Sequence, residues 1–202
     1  MKRYGLLTII PLLLCSCSYD LLEKTIYIPD DEDRNLPAYT EWGYNSFGVK
    51  YERSYFCASN AIVPYKMVYQ SGMLNFSLKG RVSQEYYSIR YRDGEEMTLV
   101  FSFPSVPIDK YQDLTVLHKK ELDLTDASCK VIMTRETQTD TLSLLSGRLT
   151  FNRAQLLRID EKENRVILSG TFEARFIRDD QPETMSNGRF DLGINEVYVL
   201  PE

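Results

Sequence analysis

Four cysteines and one histidine are the most reactive side chains of the sequence, and the first two cysteines lie in a processing pattern. Leu14-Cys15-Ser16-Cys17 fits a bacterial lipobox, with leucine three residues before Cys17 and a small residue directly before it. The pattern predicts cleavage after Ser16 and attachment of a diacylglycerol to the thiol of Cys17. Cys15 is the alternative anchor, although Leu14 is a poor residue to precede the cut.

The segment before this pattern is typical of a secretory signal peptide. Lys2 and Arg3 precede an apolar stretch over residues 6–14, which is shorter than the roughly 20 residues of a membrane-spanning helix. We predict that residues 1–16 are a signal peptide, the alternative being a core helix that begins the chain. Each buried CH₂ group of an acyl chain contributes about 0.8 kcal/mol, so an acylated Cys17 needs no transmembrane helix.

The residue after the anchor and the charge of the mature chain both bear on location and partners. Ser18 stands where aspartate would favour retention in the inner membrane, so we predict that the protein is in the outer membrane, on either of its two faces.

Loss of Lys2 and Arg3 lowers the basic count from 24 to 22 against 29 acids, and the formal charge moves from −5 to −7. Such an acidic protein is a poor partner for nucleic acids, whose binding depends on neutralising phosphates.

The remaining reactive residues give no catalytic or metal-binding pattern. Cys57 and Cys129 could form one disulfide in an oxidising compartment, or could be two separate buried thiols. His118 is the only histidine, so the spacing of a zinc site is absent and a Cys–His nucleophile is unsupported. No serine lies in a G-x-S-x-G sequence, and 29 acidic residues are too many for their number to identify a catalytic pair. We predict no catalytic residue, metal or cofactor.

An acidic segment after the anchor contains a calcium-like spacing. Asp31-x-Asp33-x-Asn35 matches the start of an EF-hand loop, but the glycine and the glutamate that this loop needs further on are missing. The segment also holds two prolines and has no apolar periodicity. A chain of this kind buries too little apolar surface to offset the entropy of ordering it. We therefore predict that residues 17–41 form a flexible, lipidated acidic tether.

Tyrosine supplies the main candidate for a binding surface. The chain has 14 tyrosines, and this side chain combines an apolar ring with a polar hydroxyl, which suits contact with a glycan or a protein. The alternative is the ordinary use of tyrosine in strands and in the core. The candidate binding residues are Tyr65, Tyr69, Tyr86, Tyr87 and Tyr91.

From residue 42 onward the sequence is typical of short antiparallel strands. Apolar residues alternate in most segments, and turn residues recur at intervals of about ten positions. Asp93-Gly94 predicts one hairpin turn, and a second is expected near residues 162–164. The best helical candidate, residues 110–124, is weak. We predict an all-β fold, a single antiparallel β-sandwich or barrel-like domain over residues 42–202.

Four Ser-Gly or Asn-Gly pairs precede apolar alternation, and we interpret them as turns that open strands. Their irregular spacing excludes a repeat array, and they lack the following helix of a phosphate-binding loop. Phe172, Ala174 and Phe176 should share a buried face, with Phe190 and Leu192 as neighbours on the next strand. The four pairs are Ser71-Gly72, Ser146-Gly147, Ser169-Gly170 and Asn187-Gly188.

Three short motifs lie near the two ends of this β-region: YNSFG at residues 44–48, GTFEARF at residues 170–176 and NGRFD at residues 187–191. They resemble the N-T-F-G, G-T-F-x-F and N-G-x-F-D stretches of a group of small uncharacterised lipoproteins of Bacteroides-type bacteria. The chain departs from the group's N-G-K-like turn, since residues 51–53 read YER there. The resemblance implies an antiparallel β-domain on a lipid anchor and carries over no catalytic residue.

Together these observations favour a non-enzymatic lipoprotein that Cys17 anchors to the outer membrane and that binds a protein or a glycan. A second hypothesis is a carbohydrate-active hydrolase, which requires a deep cleft with two carboxyl groups about 5–10 Å apart. A third is an assembly subunit that pairs through an exposed strand edge. The expected partners are the membrane and a protein or glycan ligand, and not nucleic acid.

Overall fold

Strands dominate the fold, as the apolar alternation predicts. The computed structural model describes residues 25–59, 63–85, 94–159 and 162–201, apart from the side chains of residues 162 and 163. Within these ranges twelve strands form one strongly curled sheet with the shape of a half-barrel. The prediction of an all-β, barrel-like domain is confirmed. Cys17 and the predicted signal peptide lie outside the described residues.

The strands vary from two to seventeen residues in length. They are β1 (Ser46–Tyr51), β2 (Ser54–Cys57), β3 (Tyr65–Gln70), β4 (Met73–Ser83), β5 (Glu95–Pro104), β6 (Glu121–Asp123), β7 (Lys130–Arg135), β8 (Gln138–Thr141), β9 (Ser143–Ile159), β10 (Lys162–Arg178), β11 (Gln181–Ile194) and β12 (Tyr198–Val199). A 3₁₀ helix at Tyr111–Leu117 lies between β5 and β6.

The order of the strands explains the curl of the sheet. The path runs β6-β9-β10-β11-β1-β2-β4-β5-β7-β8, with β3 beside β4 and β12 beside β3. The described pairs are antiparallel except for β12, which runs parallel to β3. β8 and β9 belong to opposite ends of this path, yet only Leu142 separates them in sequence. The sheet therefore has to curl until these two ends meet at one corner.

Phenylalanine rings fill the inner face of the half-barrel. Phe172, Ala174 and Phe176 are buried on one face of β10, and Phe190 and Leu192 are buried on β11 beside them, as predicted. The 3₁₀ helix contacts β9 and β10 and contributes buried leucines to this core. The weak helical prediction for residues 110–124 is thus right only in part, because β6 forms within the same segment.

The glycines of the four Ser-Gly and Asn-Gly pairs have two different roles. Ser71-Gly72 forms the turn between β3 and β4, and both residues have positive φ, as predicted. The other three glycines lie inside β9, β10 and β11, so their interpretation as strand starts is wrong. A Cβ on Gly170 would lie 1.9 Å from the Thr150 carbonyl oxygen and 2.7 Å from the Phe190 ring. This glycine is required by close packing within a strand rather than by a turn.

One of the two predicted hairpins forms, with its turn displaced, whereas the turn at Asp93-Gly94 includes a residue outside the described ones and stays a prediction. β4 and β5 pair antiparallel on either side of residues 86–93, and Gly94 has a φ of 95°. β9 ends at Ile159 and β10 begins at Lys162, so the turn expected at residues 162–164 falls two residues earlier.

A segment before the first strand packs across the outer face of the sheet, and we call residues 25–45 the strap. Leu36 is fully buried with Cys57, and a Cβ on Gly48 would lie 2.4 Å from the Pro37 ring. Arg189 of β11 forms a 2.6 Å ion pair with Asp30. The flexible tether predicted for residues 17–41 is therefore wrong for residues 25–41, which belong to the domain.

The acidic side chains of the strap fold it locally, which composition alone does not reveal. Asp30 Oδ1 accepts hydrogen bonds from the backbone N–H groups of Glu32 and Asp33. Asp33 Oδ1 accepts from the backbone of Asn35, and its Oδ2 accepts from the Tyr55 hydroxyl at 3.0 Å. The spacing that resembles a calcium loop is thus a pair of aspartate-stabilised turns.

Docking of the strap can be tested with two substitutions in the same segment. Leu36→Ala should lower the free energy of unfolding by about 2–5 kcal/mol, because it leaves a cavity between strap and sheet. Ile28→Ala is the matched control, since Ile28 is 42% exposed and its loss should cost less than about 0.5 kcal/mol. Urea unfolding of both variants measures the difference. Equal effects would mean that the strap does not pack as described.

Candidate functional site

Two of the five predicted binding tyrosines lie in the described chain, and both are on β3. Tyr65 and Tyr69 are half-buried and pack against the core on the same side as Met67. The Tyr65 hydroxyl donates to the Gly193 carbonyl oxygen at 2.8 Å, which ties β3 to the end of β11. Tyr86, Tyr87 and Tyr91 lie outside the described residues. The described residues therefore place Tyr65 and Tyr69 only, and a surface formed by all five tyrosines stays a prediction.

Tyr65 nevertheless borders an open cavity of about 720 Å³ among the described residues, which we call the tyrosine groove. The parallel pairing of β12 with β3 forms it, because this pairing places the C-terminal segment beside residues of β3, β4 and β5. Its lining residues are Val63, Tyr65, Lys66, Met67, Ser77, Lys79, Thr98, Asn195, Glu196 and Tyr198.

The tyrosine groove combines an exposed aromatic ring with two ammonium groups. Tyr198 is 43% exposed, and Lys66 Nζ lies 5.0 Å from the centroid of its ring, a cation–π contact. The Tyr198 hydroxyl donates to Glu196 at 2.7 Å, and this hydrogen bond raises the pKa of Tyr198. Lys66 and Lys79 outnumber Glu196, so the groove is locally positive in an acidic protein. This chemistry suits a ligand with a polar or acidic group beside an apolar face.

Sequence reasoning did not find Tyr198, Lys66 or Lys79. The alternation of apolar residues near the C-terminus predicts a last strand but not its partner. β12 pairs with a strand about 130 positions earlier, as the Tyr65–Asn195 hydrogen bond at 3.2 Å also shows. No local signal in the sequence reports that contact.

A second opening lies on the outer face of β9, β10 and β11. Two adjoining pockets of about 550 and 350 Å³ share Arg148 and Glu173. Glu121 and Asp123 line the larger pocket and are the candidate carboxylate pair for the hydrolase hypothesis. Asp123 accepts two hydrogen bonds from Thr125, which lower its pKa. A glycosidase acid needs a raised pKa instead.

The one buried carboxylate among the described residues, Asp191, has a structural role. Its oxygens accept from the Thr40 hydroxyl at 2.6 Å and from the backbone N–H groups of Trp42, Gly43 and Tyr44. These donors offset the cost of burying the charge. The carboxylate therefore positions the loop of residues 40–44 and is not available to a substrate.

Asp191 also explains why two distant motifs of the sequence belong together. Ser46 of the YNSFG stretch pairs with Asp191 of the NGRFD stretch, because β1 and β11 are neighbours. Asn45 Oδ1 accepts from the backbone N–H of Gly193 at 2.9 Å, two residues further on. The two ends of the β-region thus form one hydrogen-bonded junction.

Ion pairs hold the corner where the two ends of the sheet meet. Arg178 of β10 is largely buried and lies 3.7 Å from Asp140 of β8 and 3.9 Å from Glu183 of β11. Arg135 donates from Nε and Nη2 to the two carboxylate oxygens of Glu95, and these hydrogen bonds lower the pKa of Glu95. The carboxylates of Asp140, Glu183 and Glu95 thus pair with arginines and stabilise this corner of the fold.

The remaining reactive residues are separate from one another. His118 is exposed, and its Nδ1 accepts from the backbone N–H of Ala154 at 3.3 Å. Cys57 and Cys129 are both free thiols, so the disulfide alternative is not realised. Three strand spacings, roughly 14 Å, separate β2 from β7, beyond the reach of a disulfide. Burial raises the pKa of the Cys57 thiol.

The described ranges hold no group of three or more side chains that could bind a metal ion. They also contain no helix that is long and apolar enough to cross a membrane. Comparisons of the chain with protein-family models, curated proteins and solved structures give no match.

The structural role of the buried carboxylate can be tested with Asp191→Asn. The amide keeps the size of the side chain but replaces one acceptor oxygen with a donor that faces the N–H groups of the loop. The free energy of unfolding should fall by about 2–3 kcal/mol, the value of hydrogen bonds to a charged group. Asp126→Asn is the control, because Asp126 is exposed and accepts only from Ser128. Similar losses in urea unfolding would contradict the assignment.

Proposed function

We propose that the protein is an outer-membrane lipoprotein, anchored through Cys17, that binds a glycan with acidic groups in the tyrosine groove and catalyses no reaction. The observation that carries the ligand class is the exposed Tyr198 ring between Lys66 and Glu196, with Lys79 nearby. Aromatic rings stack on the apolar faces of sugars, and ammonium groups pair with carboxylate or sulfate substituents. The lipid anchor and the kinship with Bacteroides-type lipoproteins rest on the sequence motifs.

The setting of the groove supports binding without a large rearrangement. Tyr65 is fixed by its hydrogen bond to Gly193, and Leu200 donates its backbone N–H to the Tyr69 carbonyl oxygen at 3.0 Å. The groove is therefore held by paired strands on both sides. A preformed site loses less conformational entropy on binding than a mobile loop does.

The other two hypotheses have weaker support in the described residues. A hydrolase needs an acid with a raised pKa in a cleft, and Asp123 has a lowered one. An assembly subunit needs a free strand edge, and β6 pairs with only residues 148–150 of β9, so the remaining edge of β9 is where such pairing would have to occur. The strands that end the sheet path, β6 and β8, have only three and four residues. Short edge strands are a common protection against edge-to-edge pairing.

Lipid anchoring predicts a change in fractionation. Cys17→Ala should move the protein from the membrane fraction to the soluble fraction, because the acyl chains would be its membrane attachment. Mass spectrometry of the wild-type N-terminal peptide should find the Cys17 thiol acylated. Retention of Cys17→Ala in washed membranes, or an unmodified thiol in the wild type, would refute the anchor.

Ligand binding can be tested with matched charge reversals. A screen of acidic and neutral glycans should give ligands of the acidic class, and Lys66→Glu should weaken their binding by roughly 10-fold to 100-fold, the value of a charged hydrogen bond. Lys50→Glu changes the net charge equally at an exposed strand position away from the groove and should leave affinity unchanged. Equal weakening by both variants, or a preference for neutral glycans, would contradict the groove as the site.

A further inference from the structure

The strap carries four large apolar side chains that point to solvent. Ile26 is 49% exposed, Ile28 42%, Tyr39 37% and Trp42 69%. Backbone hydrogen bonds join the two halves of the strap that carry these residues, because the Ile26 N–H donates to the Tyr44 carbonyl oxygen at 2.8 Å and the Ala38 N–H donates to the Ile28 carbonyl oxygen at 2.7 Å. We call these four residues the strap patch.

The backbone beneath the strap patch is held in place. Trp42 donates its N–H to buried Asp191, and Arg153 Nη1 donates to the neighbouring Glu41 carbonyl oxygen at 2.9 Å. The Tyr39 hydroxyl is bound to Glu41 and accepts from Asn152 at 3.0 Å. The exposed tryptophan is thus presented on a fixed loop rather than on a mobile one.

The length of chain before the strap determines where this patch can be. Seven residues separate Cys17 from Thr25, the first described residue. At about 3.3–3.6 Å per residue, the connection from Cys17 spans at most about 28 Å. A domain of this size has a radius of gyration of about 16 Å and hence a larger diameter than that reach. Because the strap is docked, the face where it begins lies next to the anchor.

We propose that the strap patch docks on the lipid surface and holds the domain against the outer membrane, with Trp42 at the level of the lipid headgroups. This inference rests on the anchoring of Cys17 proposed above. Tryptophan prefers the boundary between headgroups and acyl chains, and the isoleucines add apolar area that can enter it. The short connection raises the local concentration of the patch at the bilayer, so a contact too weak for free association is sufficient.

Charge determines which lipid surface fits. The strap carries exposed Asp31 and Glu32 beside the patch, and the mature chain has a net charge of −7. An acidic surface is repelled by anionic headgroups within a Debye length. Docking should therefore occur on zwitterionic lipid and weaken when anionic lipid is added.

Trp42 is the only tryptophan of the chain, so its fluorescence reports directly on the strap patch. The lipidated protein should be reconstituted in phosphatidylcholine vesicles and compared with soluble Cys17→Ala. We expect a blue-shifted emission, protection from iodide, and loss of most of the emission when the lipids carry bromine high on their acyl chains. Emission and iodide quenching identical to those of soluble Cys17→Ala would overturn docking.

Flotation of the vesicles separates the two proposals. Wild-type protein that floats with unshifted Trp42 emission keeps the anchor and refutes docking, whereas wild-type protein that fails to float refutes the anchor. A blue shift that appears in soluble Cys17→Ala as its concentration rises would show that a second copy covers the patch, and would also overturn docking on lipid.

A pair of double variants tests the patch itself. Ile26→Asp with Ile28→Asp should restore iodide quenching of Trp42 without changing flotation. Val106→Asp with Val116→Asp adds the same charge at side chains that are 57% and 50% exposed elsewhere, and should leave the emission blue-shifted. Urea unfolding checks that both proteins fold. Equal effects of the two double variants would overturn the assignment of the membrane face to the strap.

Discussion

The buried carboxylate of Asp191 is the interaction on which the arrangement of this protein depends. A charge without water must be matched by donors, and here one hydroxyl and three backbone N–H groups of residues 40–44 provide them. The donors come from the strap, while the acceptor comes from β11 near the end of the chain. These hydrogen bonds therefore attach the segment that precedes the sheet to a strand near the C-terminal end of the chain. The course of the strap, the exposure of Trp42 and the junction of β1 with β11 all follow from this attachment.

Close packing of glycines against phenylalanines is the second constraint. Gly170 lies opposite Phe190, and Gly188 lies opposite Phe172, so each glycine leaves room for a ring on the paired strand. The neighbouring backbones approach closely at these places, as a strongly curled sheet requires. The curl in turn brings β8 to β9 and allows Arg178 to bridge Asp140 and Glu183. The inner face is thus committed to packing, and the outer face is left for contacts with other molecules.

The outer face is divided among separate features. The strap covers one region, and the tyrosine groove and the polar opening across β9–β11 occupy others. Rigid attachment of the strap means that the orientation of the domain relative to its proposed anchor is restricted, which a flexible tether of residues 17–41 would not achieve. Under the proposed docking, the groove between β3 and the C-terminal segment would keep a fixed orientation relative to the membrane surface. For a binding protein this restricts the direction from which a ligand can approach.

Local patterns in the sequence were sufficient for some of these features. Alternation of apolar residues predicted the strands and placed Phe172 and Phe176 on one buried face, because side chains of a strand point alternately to its two sides. The Ser71-Gly72 pair predicted a turn, and both residues have positive φ in the structure. The lipobox predicted around Cys17 is also a contiguous motif, but it lies outside the described residues and stays a prediction.

Only the tertiary structure decided the roles that depend on contacts between distant segments. The sequence does not distinguish a glycine in a turn from a glycine in a crowded strand. The role of Gly170 therefore could not be predicted without knowing that Phe190 packs against it. The acidic strap has the composition of a flexible tether, but its aspartates bind backbone groups and Arg189, and Leu36 is buried on Cys57. The tyrosine groove exists because β12 returns to β3. Sequence patterns reflect interactions between residues that are close along the chain. These features depend instead on the free energy of contacts between distant residues, which form only once the sheet has folded.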